Sequence, residues 1–253
     1  MNLKERLKRN ELTLGSWLTI GHQSIAEIMT QTAFDWLVID MEHSVIEFEK
    51  MQELVAVIQS NHKAALVRVG KNDELIIKRV MDAGATGVIV PMVNSLEQAK
   101  DAVSYVKYPP LGRRGVGLAR AQKYGTAFGE YKEWLNRESV VVAQIEHIDA
   151  VNAIEQIITL DDIDAYIIGP YDLSASMGFP GEYHRQDVKD AISHVLEVCK
   201  KHNKPSGFHV IHPDASLVNE KISEGCTFIA FSIDFFFLGN KIKEEFVKIN
   251  LKD

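Results

Sequence analysis

Two apolar segments of this chain each run onto a carboxylate. VVVAQIE, residues 140–146, ends on Glu146, and AYIIGPYD, residues 165–172, ends on Asp172. Gln144 and Glu146 are two apart, so in a strand they share a face. A charged Glu turned toward covering helices would be buried without a partner, which is costly. A face that opens on a polar cavity suits it better. Two carboxylates held close repel each other, and one of them tends to protonate. A divalent cation removes that conflict. All-oxygen ligands favour Mg2+ or Mn2+, which keep open positions for water and substrate. Partner Lys or Arg side chains are the other way to hold such a pair.

Further polar residues end apolar runs in the same manner. FDWLVIDMEHS (34–44) supplies Asp40, Glu42 and His43, and AALVRV (64–69) supplies Arg68. SGFHVI (206–211) carries His209, with His212 just beyond it, and FIAFSID (228–234) carries Ser232 and Asp234. Histidine is the side chain whose ordinary titration lies nearest neutrality, so His43 suits acid/base work. Arg68 beside a Lewis-acidic cation would put fixed positive charge where a 2-oxo acid, and then its enolate, needs it. Asp82, in VMDAG, lies at a helix end, and spacing alone does not place it. None of the apolar runs carries a lysine, so a desolvated Schiff-base amine has no obvious source. GRRGVGLARAQ (112–122) lacks the GK[ST] of a P-loop. Its Arg113, Arg114 and Arg120 either meet an acidic or hydroxylated substrate tail or serve the loop itself.

The elements that must position these residues are legible as alternating runs. Eight β-branched, apolar stretches occur at 15–20, 36–42, 64–69, 87–93, 140–146, 165–170, 206–211 and 228–234. Most are apolar nearly throughout, as parallel strands covered on both faces are. Helical spacing predicts helices over 26–34, 47–61, 73–84, 95–108, 187–203 and 214–225, with Ser95 as an N-cap and Gly84 and Gly225 at C-terminal ends. Eight such alternations over this length predict a (β/α)8 barrel, in which functional residues gather at the carboxyl ends of the strands. The rival, a doubly wound open sheet, usually shows a G-x-G-x-x-G turn after its first strand, and none follows GSWLTI. The one long irregular stretch is 108–125, with a short helix expected within 126–139. The tail from 235 to 253 is amphipathic, with Ile242, Phe246 and Ile249 at helical spacing. Phe235, Phe236 and Phe237 read either as barrel packing or as a subunit contact.

The 253 residues are 46% hydrophobic and 25% charged, enough for one barrel domain spanning 1–253. A net charge of −7 disfavours a sequence-independent hold on nucleic acid. No apolar run reaches the roughly 20 residues of a membrane helix. The first residues lack a signal-peptide core, and the two cysteines make no framework, so a cytoplasmic location is expected.

Six segments taken in order, FDWLVIDMEHS, VRV, MDAGATGVIVPMV, YPPLGRRGVG, QIE and GPYDLSASMG, resemble the HpcH/HpaI aldolase family. These are metal-dependent class II pyruvate aldolases acting on 4-hydroxy-2-oxoheptanedioate or 2-keto-3-deoxy-sugar acids. The resemblance covers nearly the whole chain. It implies a TIM barrel of the phosphoenolpyruvate/pyruvate type, assembled as a homohexamer with the C-terminal helix 235–253 packed on a partner subunit. It implies a divalent metal, Mg2+ or Mn2+ with Co2+ also admitted, held by Glu146 and Asp172. Gln144 and the backbone at Tyr171, with Gly169 and Pro170 beside them, would bind substrate. Arg68 would stabilise the enolate oxygen, His43 would be the base, Asp82 would raise its basicity, and Asp40 would join that network. Tyr171 departs from the pattern, since many members carry a smaller residue there. The implied reaction is reversible cleavage of a 4-hydroxy-2-oxo acid to pyruvate and an aldehyde. A citrate-lyase-like acyl-CoA lyase and a catalytically silent barrel that binds a small acid remain as alternatives.

Overall fold

Aliphatic strands that are apolar on both faces need cover on both, and a closed barrel ringed by helices provides it. In the computed structural model, which describes residues 1–249, eight parallel strands pair in chain order and β1 closes on β8. They are β1 (Thr13–Leu18), β2 (Trp36–Asp40), β3 (Ala64–Arg68), β4 (Gly87–Val90), β5 (Val140–Ile145), β6 (Ala165–Ile168), β7 (Ser206–Val210) and β8 (Phe228–Ile233). Each lies within two residues of its expected start. The expected helices also form, as α2 (Gln23–Thr30), α3 (Phe48–Ser60), α4 (Glu74–Asp82), α5 (Leu96–Val106), α6 (Phe128–Arg137), α9 (Gln186–Lys201) and α10 (Ala215–Ser223). Ser95 caps α5 by accepting from the Gln98 amide, and Asp73 caps α4 in the same way. The structure adds α7 (Ile148–Ile157), α8 (Pro170–Ser176) and α1 (Leu3–Lys8), which the sequence reading did not single out.

The core divides into two. Outward strand residues pack under the helices, while inward ones, among them Trp36, Val38, Leu66, Val142 and Ile167, fill the barrel. Leu3 and Leu7 of α1 join the inner set, so α1 stoppers the amino-terminal end of the barrel. Lys4 anchors it there. Its ammonium lies 2.7 Å from Asp164 and donates to the Ser139 carbonyl at 2.8 Å, and both charged side chains are buried. An isolated six-residue helix would not persist in water; this one holds by what it covers.

The last helix, α11 (Asp234–Phe246), leaves much apolar surface uncovered. Leu238, Ile242 and Phe246 are each more than half exposed and stand four residues apart. The triple phenylalanine divides its duties. Phe237 meets Phe231 edge-on and Phe236 meets His212, while Phe235 stays 45% exposed. The expected helix 235–253 is described as far as 249, and residues 250–253 lie outside the described residues.

Gly15 admits the largest inner side chain. The Trp36 indole lies over it and stacks on Phe228 at 4.3 Å between centroids, and a Cβ at position 15 would stand 2.0 Å from the indole. Gly15→Ala is therefore expected to lower stability by about 1–3 kcal/mol through overpacking. Urea unfolding of the two proteins measures this, and an unchanged midpoint would show that the indole can move aside.

Candidate active site

Alternation along the strands decides which side chains enter the carboxyl-end mouth. Val140 and Val142 face inward, so Gln144 and Glu146, on the same parity, do so above them. By the same rule Leu66 sets Arg68 inward, Trp36 and Val38 set Asp40, and Ala165 and Ile167 set Gly169. Arg68, Gln144 and the Gly169–Asp172 turn, with His43, wall a cavity of about 160 Å3, and Asp40 and Glu146 lie behind it, bonded to Arg68 and Gln144.

Asp40 and Arg68 are register partners on β2 and β3. The guanidinium donates twice to the carboxylate, at 3.0 and 2.7 Å. Burial works against the charge of Asp40. The hydrogen bonds and charge of Arg68, with the amides of His43 and Glu42, outweigh it and hold the carboxyl below its usual range. Burial also opposes the Arg68 charge, but Asp40, Glu42 and Glu146 keep it firmly protonated. Glu42 approaches the same Nε of Arg68 that serves Asp40. Its Oε2 is 3.3 Å from Nε yet outside hydrogen-bond geometry, and it is buried without another partner. Burial lifts Glu42 to about 7; Arg68 opposes that rise, and Glu146, Asp40 and Asp172 add to it.

Glu146 is buried and built in from three sides. Its Oε1 accepts from the Met92 amide at 2.8 Å, its Oε2 from the Gln144 side chain. Met92 holds a left-handed backbone, φ 55°, that L residues seldom adopt, in the turn that aims this amide. Gly169 completes the cradle, since a Cβ there would press on Glu146 Oε2 at 3.0 Å. Burial pushes the Glu146 carboxyl up; its two hydrogen bonds pull it down, and the Asp172 charge pushes it up again. Asp172 stands in the first turn of α8, exposed. Among the described residues neither Glu146 nor Asp172 has a Lys or Arg within ion-pair distance. The arrangement with basic partners is thus not the one adopted.

Among the described residues no group of three or more His, Cys, Asp or Glu is placed to hold a metal ion. The mouth offers instead two carboxylates, with Gln144 Oε1 and Glu42 Oε2 as buried oxygens lacking hydrogen-bond partners. An all-oxygen donor set with few protein ligands fits a hard divalent cation that keeps much of its water.

The structure separates two expected partners. His43 follows β2 at the mouth, with its side chain 65% exposed and its Nε2 3.9 Å from Glu42. Asp82 ends α4, before β4 begins, and so lies at the opposite end of the barrel. There it holds the wholly buried Arg114 at 2.6 Å. Arg114 also donates to Tyr131, and Arg120 donates to the Ala83 carbonyl and Gln59. These loop arginines serve the loop. The Tyr171 ring, 41% exposed, leans on Tyr183 and leaves its backbone in the first turn of α8. Asp234 takes no part in the mouth; it accepts from the Thr19 and Ile20 amides and ties β8 to the turn after β1. Glu42, Trp17 and His209 also reach the site. Glu42 and His209 stood among the polar residues of the apolar runs without an assigned role; for Trp17 strand parity was the available signal, but an apolar-looking run gave no reason to weigh it.

A closed parallel barrel with its acids and one buried guanidinium at the carboxyl ends of the strands is the architecture of a (β/α)8 enzyme. The chain belongs to the HpcH/HpaI aldolase/citrate lyase family, whose model matches residues 13–240, and is by that membership a carbon–carbon lyase. It is 37% identical to a 2-dehydro-3,6-dideoxy-6-sulfogluconate aldolase of Pseudomonas putida, over 96% of this chain and 94% of the relative. It is 36% identical to a hydroxypyruvate/pyruvate aldolase of Sagittula stellata, over 91% and 90%. A solved structure of an HpcH/HpaI aldolase/citrate lyase family protein from Burkholderia cenocepacia superposes with a TM-score of 0.93 at 29% identity, covering 98% of this chain and 99% of the other. Among the described residues no helix is long and apolar enough to cross a membrane.

Glu42 makes a pH-dependent contribution in the metal-free protein. Its folded carboxyl keeps a proton that the unfolded chain has released, so stability falls as pH rises from the ordinary glutamate range toward about 7. Urea midpoints between about pH 5 and about pH 8 should decline more for wild type than for Glu42→Gln. Parallel curves would remove Glu42 as the cause.

Proposed function

We propose that this chain is a divalent-cation-dependent aldolase that reversibly cleaves a 4-hydroxy-2-oxo acid, of the 2-keto-3-deoxy type, into pyruvate and an aldehyde. One observation carries the reading. Glu146 and Asp172 share a mouth whose buried guanidinium, Arg68, is already engaged by Asp40 and flanked by Glu42, so among the described residues the pair has no Lys or Arg within ion-pair distance. Glu146 and Asp172 would hold the cation, Mg2+ or Mn2+ with Co2+ admitted, with the Gln144 side chain beside it. When bound, it supplies Lewis-acid polarisation of the 2-oxo group.

The rest falls to the chain's own groups. The Tyr171 amide, in the first turn of α8 where amides have no intrahelical partner, receives the substrate carboxylate, with Gly169 and Pro170 leaving it room. His43 takes the proton of the C4 hydroxyl. The C3–C4 bond then breaks, its electron pair passes into the enolate, and the aldehyde leaves. Arg68, locked by two bonds to Asp40, holds the negative charge growing on the C2 oxygen. A proton delivered to C3 gives pyruvate.

Asp82 cannot reach His43 of its own chain, so its role in raising basicity falls to a second copy. The uncovered stripe of α11 supports such an assembly, and the homohexamer is our proposal for it. Cys199 and Cys226, both free and buried, accord with a reducing cytoplasm. An acyl-CoA lyase would want basic groups for the phosphates, and Arg114 and Arg120 are bonded at the other rim. A silent barrel would have no use for the cradle around Glu146.

Two measurements test the reading. Pyruvate methyl protons should exchange in D2O, followed by NMR, with added Mg2+ or Mn2+ and not after EDTA. Cleavage should fall on the order of 100-fold or more in His43→Ala and be lost in Glu146→Ala. Full metal-free cleavage by Glu146→Ala would sink the assignment.

A further inference from the structure

Once Glu146, Asp172, Gln144 and Glu42 are counted in the oxygen donor set and Arg68, Asp40 and His43 have their roles, two polar atoms of the mouth remain unexplained. Trp17 Nε1 and His209 Nε2 are both buried, and among the described residues neither has a hydrogen-bond partner. Both residues line the mouth cavity. Trp17 belongs to the inner cluster, while Phe208 and Val210 on either side of His209 pack outward, which turns the imidazole inward. The two rings stand 5.2 Å apart, and the Arg68 guanidinium lies 4.4 Å from the centre of the indole. The pair therefore adjoins the group that would hold the C2 oxygen. An apolar side chain would fill position 209 without leaving a buried polar atom unmet, and such atoms seldom persist without a partner.

We propose that Trp17 and His209 form a subsite for a hydroxyl group on the substrate carbon chain. The proposal rests on the aldolase reading above. Indole can only donate, and a neutral imidazole offers one donor and one acceptor. Burial, helped by the Arg68 charge, pushes His209 down to about 3, so the ring brings no charge for an anion. The ring's proton faces the Ser232 carbonyl from the other nitrogen, so Nε2 accepts; a hydroxyl, which accepts from the indole and donates to Nε2, meets both rings. A methyl would leave both unmet, and a carboxylate or sulfonate has no proton to give. The hydroxyl has two possible sources. It belongs either to C3 of the 2-oxo acid, as in hydroxypyruvate, or to the carbon next to the aldehyde.

The test is aldol addition with Mg2+ in four pairings, pyruvate or hydroxypyruvate with acetaldehyde or glycolaldehyde. It compares wild type, Trp17→Phe, His209→Leu and His209→Gln by kcat/KM. In one arm wild type should favour the hydroxylated member over the value set by the variants, by on the order of 10-fold or more. Trp17→Phe and His209→Leu should each pull that ratio down, and His209→Gln should restore part of it; the arm that responds names the source. A ratio that is the same in wild type, Trp17→Phe and His209→Leu in both arms overturns the proposal. Should His209→Leu fail to fold, Trp17→Phe against wild type decides by the same ratio. Pyruvate methyl exchange, run alongside, keeps the two readings apart. Exchange without a shifted ratio sinks the subsite alone, and no exchange in any metal sinks the aldolase reading and the subsite with it.

Discussion

The mouth of this barrel holds more negative charge than it can neutralise, and much of its construction follows from that. Asp40, Glu42, Glu146 and Asp172 gather around one buried guanidinium. Arg68 gives both of its well-formed hydrogen bonds to Asp40, leaving Glu42 at a poorly directed contact and Glu146 with amides alone. Carboxylates in this position either take up protons or take up a cation. Their raised proton affinity and the proposed affinity for a dication are two expressions of one field. A site of this kind binds metal more weakly as pH falls, because protons compete for the same oxygens.

The fold makes that field from local rules. Inward parity on β5 delivers Gln144 and Glu146 together, and the neighbouring β6 delivers Gly169, whose missing side chain lets the carboxylate lie against the backbone. The turn into α8 then raises Asp172 at the rim. Burial alone would not hold a lone glutamate charged in such a place. Two aimed donors, one of them an amide set by the unusual backbone of Met92, keep it in place and oriented. Asp40 does the same for Arg68 from the adjacent strand. The groups assigned to chemistry are thus fixed by side chains and amides beside them, while His43, in the loop past β2, stays open to solvent.

Much of this was legible before any coordinates. Strands that must be apolar on both faces advertise themselves, so all eight were found, and the two-residue spacing of Gln144 and Glu146 placed both in the mouth. What escaped depends on tertiary context. Helix α1 is short and charged, and only Leu3 and Leu7 meeting the inner core explain it. Helix α8 begins at a proline and is too short for its periodicity to register. Asp82 matched a motif but is the last residue of a helix, and a motif does not say at which end of a barrel its residue will stand. Strand polarity does, and it separates Asp82 from His43. Trp17 passed as core, because nothing in a strand pattern shows whether an indole nitrogen will find a partner.

The two ends of the barrel deal with buried polarity in opposite ways. At the amino-terminal end Lys4 is matched to Asp164 and the Ser139 carbonyl. Lys107, which burial pushes down to about 8, donates to the Leu135 carbonyl and to the Ser139 hydroxyl. Those groups are satisfied within the chain; at that end Arg114 Nε is the buried atom left over, on a guanidinium whose other nitrogens bind Asp82 and Tyr131. At the carboxyl end Trp17, Glu42, Gln144 and His209 each keep a buried polar atom with no partner. Folding free energy alone would have removed such atoms or paired them, since each weakens the fold. Four of them around one cavity call for partners from outside the chain, water or ligand, which is what the proposed site requires.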